Sequence, residues 1–219
     1  MNTKIDSAWC KKHNLLNGDK RLIGLLNHPH NIQKILTRRD GPWKDVGDKR
    51  RILVLAQTGV MSKAERREWL ARVVERALGR VANPNPHSVD VLKALRADAV
   101  SFRIRLLAMN LSDDAQMRLT VFSSFEIPVT PTEAFAYSAA TAAAWAAEDS
   151  FHSERHAIWG ITNASHCAAI AADPSHTILK YAYQTREVCL KQADQSHGAL
   201  LEYATQVKDA LEIINDHSR

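Results

Sequence analysis

The chain has 219 residues, of which 45% are hydrophobic and 6% aromatic, with 8 Gly and 7 Pro. That is enough for one substantial core or two small ones, and too little Gly and Pro for a turn-rich β protein or a disordered one. Residues 1–105 carry 22 Lys and Arg against 10 Asp and Glu, a net of +12, and residues 106–219 carry 7 against 14, a net of −7. The expected fold is therefore all-α, an irregular multi-helix bundle with a basic helical region over 1–112 and an acidic, alanine-rich region over 113–219 packed as one compact unit.

Two further exclusions follow from pattern. The uncharged run Ala134 to Ala147 is fourteen residues long, short of the roughly twenty needed to span a bilayer. The first residues, through Lys11-Lys12-His13, never reach an apolar secretory segment. A cytoplasmic location without membrane attachment is expected. Cys10, Cys167 and Cys189 are far apart and lack a Cys-x-x-Cys spacing, so reduced, buried thiols are expected.

In chain order, Asn17-Gly18, His28-Pro29 and Asp40-Gly41-Pro42 break the first sixty residues into short helices, expected near Ser7–Leu16, Asp19–Asn27 and Asn31–Arg39. The run Asp48-Lys49-Arg50-Arg51-Ile52-Leu53-Val54-Leu55-Ala56, within Val46–Val60, is assigned to helix because helices flank it. Ser62-Lys63-Ala64-Glu65 has the spacing of a capping box and predicts a helix from Lys63 to Val81, with Leu70, Val73, Ala77 and Val81 inward. Arg72, Arg76 and Arg80 recur every fourth residue on a neighbouring face, and Glu68 is placed to pair with Arg72. Asn83-Pro84-Asn85-Pro86 ends that helix. Ser88 is read as the next cap. Val89, Leu92, Leu95, Ala99, Phe102, Leu106 and Met109 then advance by threes and fours, predicting one long helix with a buried face.

Asp113 and Asp114 mark a further helix start, with an end near Ile127-Pro128. Thr130-Pro131-Thr132-Glu133 combines a capping box with proline at the first helical position. Nine of the sixteen residues Glu133–Glu148 are alanine, which favours helix and lets neighbouring helices approach closely. This helix is expected at the centre of the bundle, its pattern continuing to about Ala172 with a bend near Gly160. Asp173-Pro174 then breaks the chain, Ser175 is read as a cap, and a last helix or pair runs from His176 to Ile214. Gly198 is its candidate joint, and Leu200, Tyr203, Val207, Leu211 and Ile214 form its inward stripe.

The candidate binding residues are Arg66, Arg67, Arg72, Arg76, Arg80, Lys93, Arg96 and Arg103, a basic surface if the two arginine-bearing helices pack as a hairpin. Such a surface suits an acidic protein face or, in a nucleic-acid-binding alternative, phosphates, with Trp43 and Trp69 as stacking or core residues. Glu148, His152 and His156 fall four apart on one helical face and are weak metal candidates, because one helix supplies too few ligands alone. No nucleophile elbow, phosphate loop or dinucleotide fingerprint occurs. A non-enzymatic chain without cofactor is expected, with metal-dependent catalysis a distant third reading.

The order of blocks, Trp9, then Asp48–Ala56, then Ser88–Arg96, then the alanine-rich Glu133–Ala147, resembles the alanine-rich all-helical bacterial immunity-type proteins over about a third of the chain. That resemblance implies an inhibitor that neutralises a partner protein by binding and occluding it, and it carries over no individual site residue. Val60–Leu95, with Met61-Ser62-Lys63-Ala64-Glu65-Arg66-Arg67 and Leu92-Lys93-Ala94-Leu95, is similar to the middle of phage small terminase subunits, which keeps the nucleic-acid alternative in view. A protein partner is the first expectation, with nucleic acid second and a homo-oligomer compatible with the opposed charges.

Overall fold

The computed structural model describes residues 4–5, 8, 30–56, 60–120, 129–147, 154–173 and 195–216. The fold is all-α. Among the described residues the helices are α1 (Ile32–Thr37), α2 (Asp48–Leu55), α3 (Lys63–Leu78), α4 (Pro86–Arg96), α5 (Phe102–Thr120), α6 (Pro131–Ala146), α7 (Glu154–Ala172) and α8 (His197–Asp216), with a 3-10 turn at Gly41–Trp43. A two-residue antiparallel pairing joins β1 (Lys4–Ile5) to β2 (His30–Asn31). The helices expected at Ser7–Leu16 and Asp19–Asn27, the cap at Ser175 and the start at His176 lie outside the described residues.

Local chemistry fixes the best-defined helix starts. Ser62 accepts from the Glu65 backbone N–H while Glu65 accepts from the Ser62 N–H at 2.6 Å, so two donors that a helix end leaves unpaired are satisfied reciprocally. Thr130 and Glu133 repeat the arrangement at α6, where Pro131 occupies the first turn. The cap of α4 is Asn85 rather than Ser88. Asn85 accepts from the His87 N–H at 3.0 Å, Pro86 follows it, and Ser88 is buried inside the first turn.

The long helix expected over Val89–Met109 is two helices. Asp98 sits in the left-handed region at φ 53°, and the Ala99 N–H donates to the Ala94 carbonyl at 2.9 Å while Ala97 donates to Lys93. This is a Schellman-type ending, with aspartate at the position more often taken by glycine. Ser101 then caps α5, accepting from the Ile104 N–H at 3.3 Å. The break resets the helical phase. Phe102 and Leu106, expected on the buried face, are 63% and 39% exposed. Asp113 and Asp114 consequently lie within α5 rather than opening a new helix.

The alanine-rich α6 packs against α3, α4, α5 and α7. Ten of its apolar side chains are buried, from Ala134 to Ala146. It ends at Ala146, so the helix expected to run on to Ala172 is two, with 148–153 outside the described residues. Gly160 lies inside α7 where that helix meets α6. A Cβ there would fall 2.9 Å from both the Ala142 carbonyl oxygen and the Ala146 Cβ, so glycine is what lets α7 lie directly on α6. Gly198 is likewise a contact point in the first turn of α8, where a Cβ would meet the Asp173 Cβ at 2.6 Å. Of the inward stripe expected on α8, Tyr203, Val207 and Ile214 are buried and Leu211 partly so, whereas Leu200 is exposed.

The opposed charge halves meet in this core. The basic α3 packs against the acidic α8, and the Trp69 indole N–H donates to the Gln206 carbonyl at 2.9 Å to fasten them. Trp43 and Trp69 are core residues, 2% and 0% exposed.

Candidate functional site

The arginine row, Arg72 and Arg76 on α3 and Arg80 in the turn that follows it, is directed onto α8. Arg72 donates to Glu68 at 3.1 Å, as its spacing predicts, and to Glu212 at 3.0 Å. Arg76 bonds Glu202 at 3.0 Å and also Asp209. Arg80 bonds Glu202 at 2.6 Å. The Glu202 side chain is 1% exposed and accepts from Arg76, Arg80 and, at 3.0 Å, Gln206. Gln206 in turn donates to the Ser165 carbonyl at 3.3 Å and bonds the Ser165 hydroxyl, extending the network to α7.

Burial pulls the Arg72 guanidinium down, but the hydrogen bonds to Glu68 and Glu212 and the charge of Asp209 outweigh it and hold Arg72 above its ordinary value. Asp209 goes the other way for its type: burial pushes its carboxyl above the ordinary range against the pull of Arg76 and Arg72. A raised folded-state value means the charged form is disfavoured by folding. The cost is absent below the unfolded carboxylate value, grows as pH rises through the raised one, and is fully present at neutral pH. Asp209→Asn is therefore expected to be no less stable than the parent at pH 7, and to lose any advantage as pH is lowered below about 4. Urea unfolding at a series of pH values measures this, and a large loss of stability at pH 7 would contradict it.

Three of the five remaining predicted binding residues are engaged in ion pairs of their own. Arg67 pairs with Asp98 at 2.5 Å, Arg96 with Glu75 at 2.7 Å and Lys93 with Asp90 at 3.5 Å. Arg66 is partly buried and Arg103 is exposed. Of the weak metal candidates, Glu148 and His152 lie outside the described residues, and His156 is on α7 with its side chain outside the description. Among the described residues no three His, Cys, Asp or Glu side chains gather as a metal site, and no helix is long and apolar enough to cross a membrane.

A different feature has the shape of a binding site. Between α5, α6 and α7 lies a half-open cleft of about 540 Å³, within the range of ligand pockets. Its apolar wall is Met109, Phe135, Trp145 and Trp159. Trp159 is 61% exposed, and Met117 (64%), Leu106 and Phe102 continue an apolar stripe along α5. Arg105, buried on α5, holds its guanidinium 4.7 Å from the centre of the Trp145 ring and 5.4 Å from that of Phe102, a cation–π stack that fixes the indole. Burial lowers the pKa of Arg105.

Most polar groups of the cleft are engaged within the fold. The Ser112 and Ser138 hydroxyls are 2.8 Å apart, and Gln116 donates to Ser138 at 3.1 Å. Thr141 donates to the Ala108 carbonyl at 2.8 Å, and His166 Nδ1 is 3.0 Å from the Tyr203 hydroxyl. Sequence reasoning missed this cleft because its walls come from three successive helices whose facing sides are set only by their packing. The available signal was the pairing of aromatic Trp145 and Trp159 with an α5 face that keeps apolar residues at three- and four-residue spacing. Searches of protein-family models, curated proteins and solved structures found no match to this chain.

Proposed function

We propose that the chain is a non-enzymatic helical interaction protein that binds and occludes a partner macromolecule, in the inhibitory manner implied by its resemblance to immunity-type proteins, and that it does so through the face of α5, α6 and α7. The observation that carries this reading is the exposed apolar stripe of Phe102, Leu106 and Met117 with Trp159 beside a concave cleft. Apolar patches of this kind, rimmed by polar residues, mark interaction sites, and tryptophan is prominent among anchoring residues. The predicted arginine row supports the same choice by subtraction, since Arg72, Arg76 and Arg80 are already bonded to carboxylates of α8.

The test places a photo-crosslinking side chain at Met117, at Trp159 and, as a control on another face, at Lys208, which is 76% exposed. In cells of the native host, positions 117 and 159 are expected to yield the same discrete adduct and position 208 none. Equal labelling from all three, or none from any, would defeat the proposal. Alongside it, titration of duplex DNA and RNA between about 50 and 200 mM salt is expected to show no steep, salt-dependent binding. A steep slope abolished by Arg103→Ala would instead favour the nucleic-acid alternative.

A further inference from the structure

We infer that the cleft between α5, α6 and α7 is a binding site for a small organic cation with an apolar body, such as an alkyl or aryl amine. This site stands whether or not the surrounding face docks a protein.

Three observations carry it. The first is shape: a half-open cavity of about 540 Å³ walled by Met109, Phe135 and two indoles favours an apolar body. The second is charge. Among the described residues Asp113, which is exposed, is the one acidic or basic residue of that lining apart from His166, and its carboxylate makes no ion pair that would neutralise it. Asn163, also in the lining, makes no hydrogen bond there either, so the cleft offers a free anion and a free carboxamide while its hydroxyls are internally bonded. The third is the aromatic complement. Trp159 is 61% exposed, and an indole face attracts a cation while a carboxylate nearby reinforces the preference. Arg105, which is 4% exposed, lies over the Trp145 and Phe102 rings and is not among the residues lining the cleft. An anion entering the cleft would meet Asp113; a cation would be paired by it.

Cys167 supplies a built-in reporter, since it lines the same cleft. The experiment measures the rate of iodoacetamide alkylation at Cys167, read by peptide mass mapping, as decyltrimethylammonium or decanoate is added below its micelle concentration. The two probes share an apolar chain and differ in charge. The cation is expected to slow Cys167 alkylation at a concentration at least about fivefold lower than the anion does, and Asp113→Asn is expected to remove that difference while leaving the far-ultraviolet circular dichroism unchanged. Trp159→Ala should weaken protection by the cation as well. Equal protection by both probes, protection by neither, or a preference for the cation that survives Asp113→Asn would each overturn the assignment. None of these results bears on whether positions 117 and 159 crosslink to a macromolecular partner, so the two proposals fail separately.

Discussion

Glu202→Leu is expected to destabilise the protein by about 3–5 kcal/mol, the usual cost of removing one partner from a buried ion pair. The reason lies in what the carboxylate serves. Glu202 is 1% exposed and accepts from Arg76, Arg80 and Gln206. Its removal leaves Arg80 without its carboxylate, leaves Arg76 dependent on Asp209, and frees the amide of Gln206 that ties α8 to Ser165 on α7. The damage should therefore spread across three helices. By contrast Lys93→Ala, which breaks an ion pair whose side chains are 72% and 52% exposed, should cost less than about 1 kcal/mol. Glu202→Gln keeps acceptor oxygen but not charge and should fall between them. Urea unfolding at neutral pH gives the values, and a double-variant cycle of Glu202→Leu with Arg76→Met should show strong coupling because each variant removes the same interaction. A cost below about 1 kcal/mol for Glu202→Leu would mean that the network does not hold α8 in place.

A comparable loss, about 3–5 kcal/mol, is expected for Arg51→Met, although Arg51 sits in a run of three basic residues that sequence alone treats as equivalent. Arg51 is 0% exposed. Its guanidinium donates to the carbonyls of Ile35, Arg38 at 2.7 Å, Trp43 at 3.3 Å and Val46 at 3.1 Å, and lies 3.4 Å from Asp48. Those carbonyls belong to the end of α1, the 3-10 turn and the chain entering α2, so one side chain gathers the segment in place of regular structure. Burial lowers its pKa to about 10, with Arg39 pulling the same way and Asp48 opposing, which leaves it charged at neutral pH. Methionine fills similar volume but strands buried carbonyls, each of which costs free energy when unpaired. Arg51→Lys should restore less than half of the loss, because an ammonium is a compact charge and cannot span carbonyls on opposite sides as a planar fork does. Hydrogen exchange should show the loss first between Ile32 and Leu55. A lysine variant as stable as the parent would refute the role given to the fork.

These two residues also mark the boundary between what was legible in the sequence and what was not. The capping boxes at Ser62/Glu65 and Thr130/Glu133, and the central alanine-rich helix, were readable because each depends on groups three or four residues apart. The Glu68–Arg72 pair was readable for the same reason. The break at Asp98 was not, since an aspartate in the left-handed region leaves no glycine or proline signal and the apolar spacing runs through it unchanged. The exposure of Phe102 and Leu106, on the stripe that continues from the cleft along α5, was hidden with it.

The fate of the arginine row depended on a partner 122 to 140 residues away. Its complement was present in the sequence as Glu202, Gln206 and Asp209, spaced four and three apart on one face of α8, and two matched polar stripes are a signal that the helices bearing them can pair. Spacing says which side chains share a face, but not which face meets which. The sequence by itself determined the helical class, the principal caps and the presence of a basic stripe on α3, because those follow from hydrogen bonds and periodicities contained within a turn or two. Only the tertiary structure decided that Arg51 is inside, that Arg72, Arg76 and Arg80 pair with carboxylates of α8, and that α5, α6 and α7 leave a cleft between them, because burial and pairing are set by the helix packed opposite.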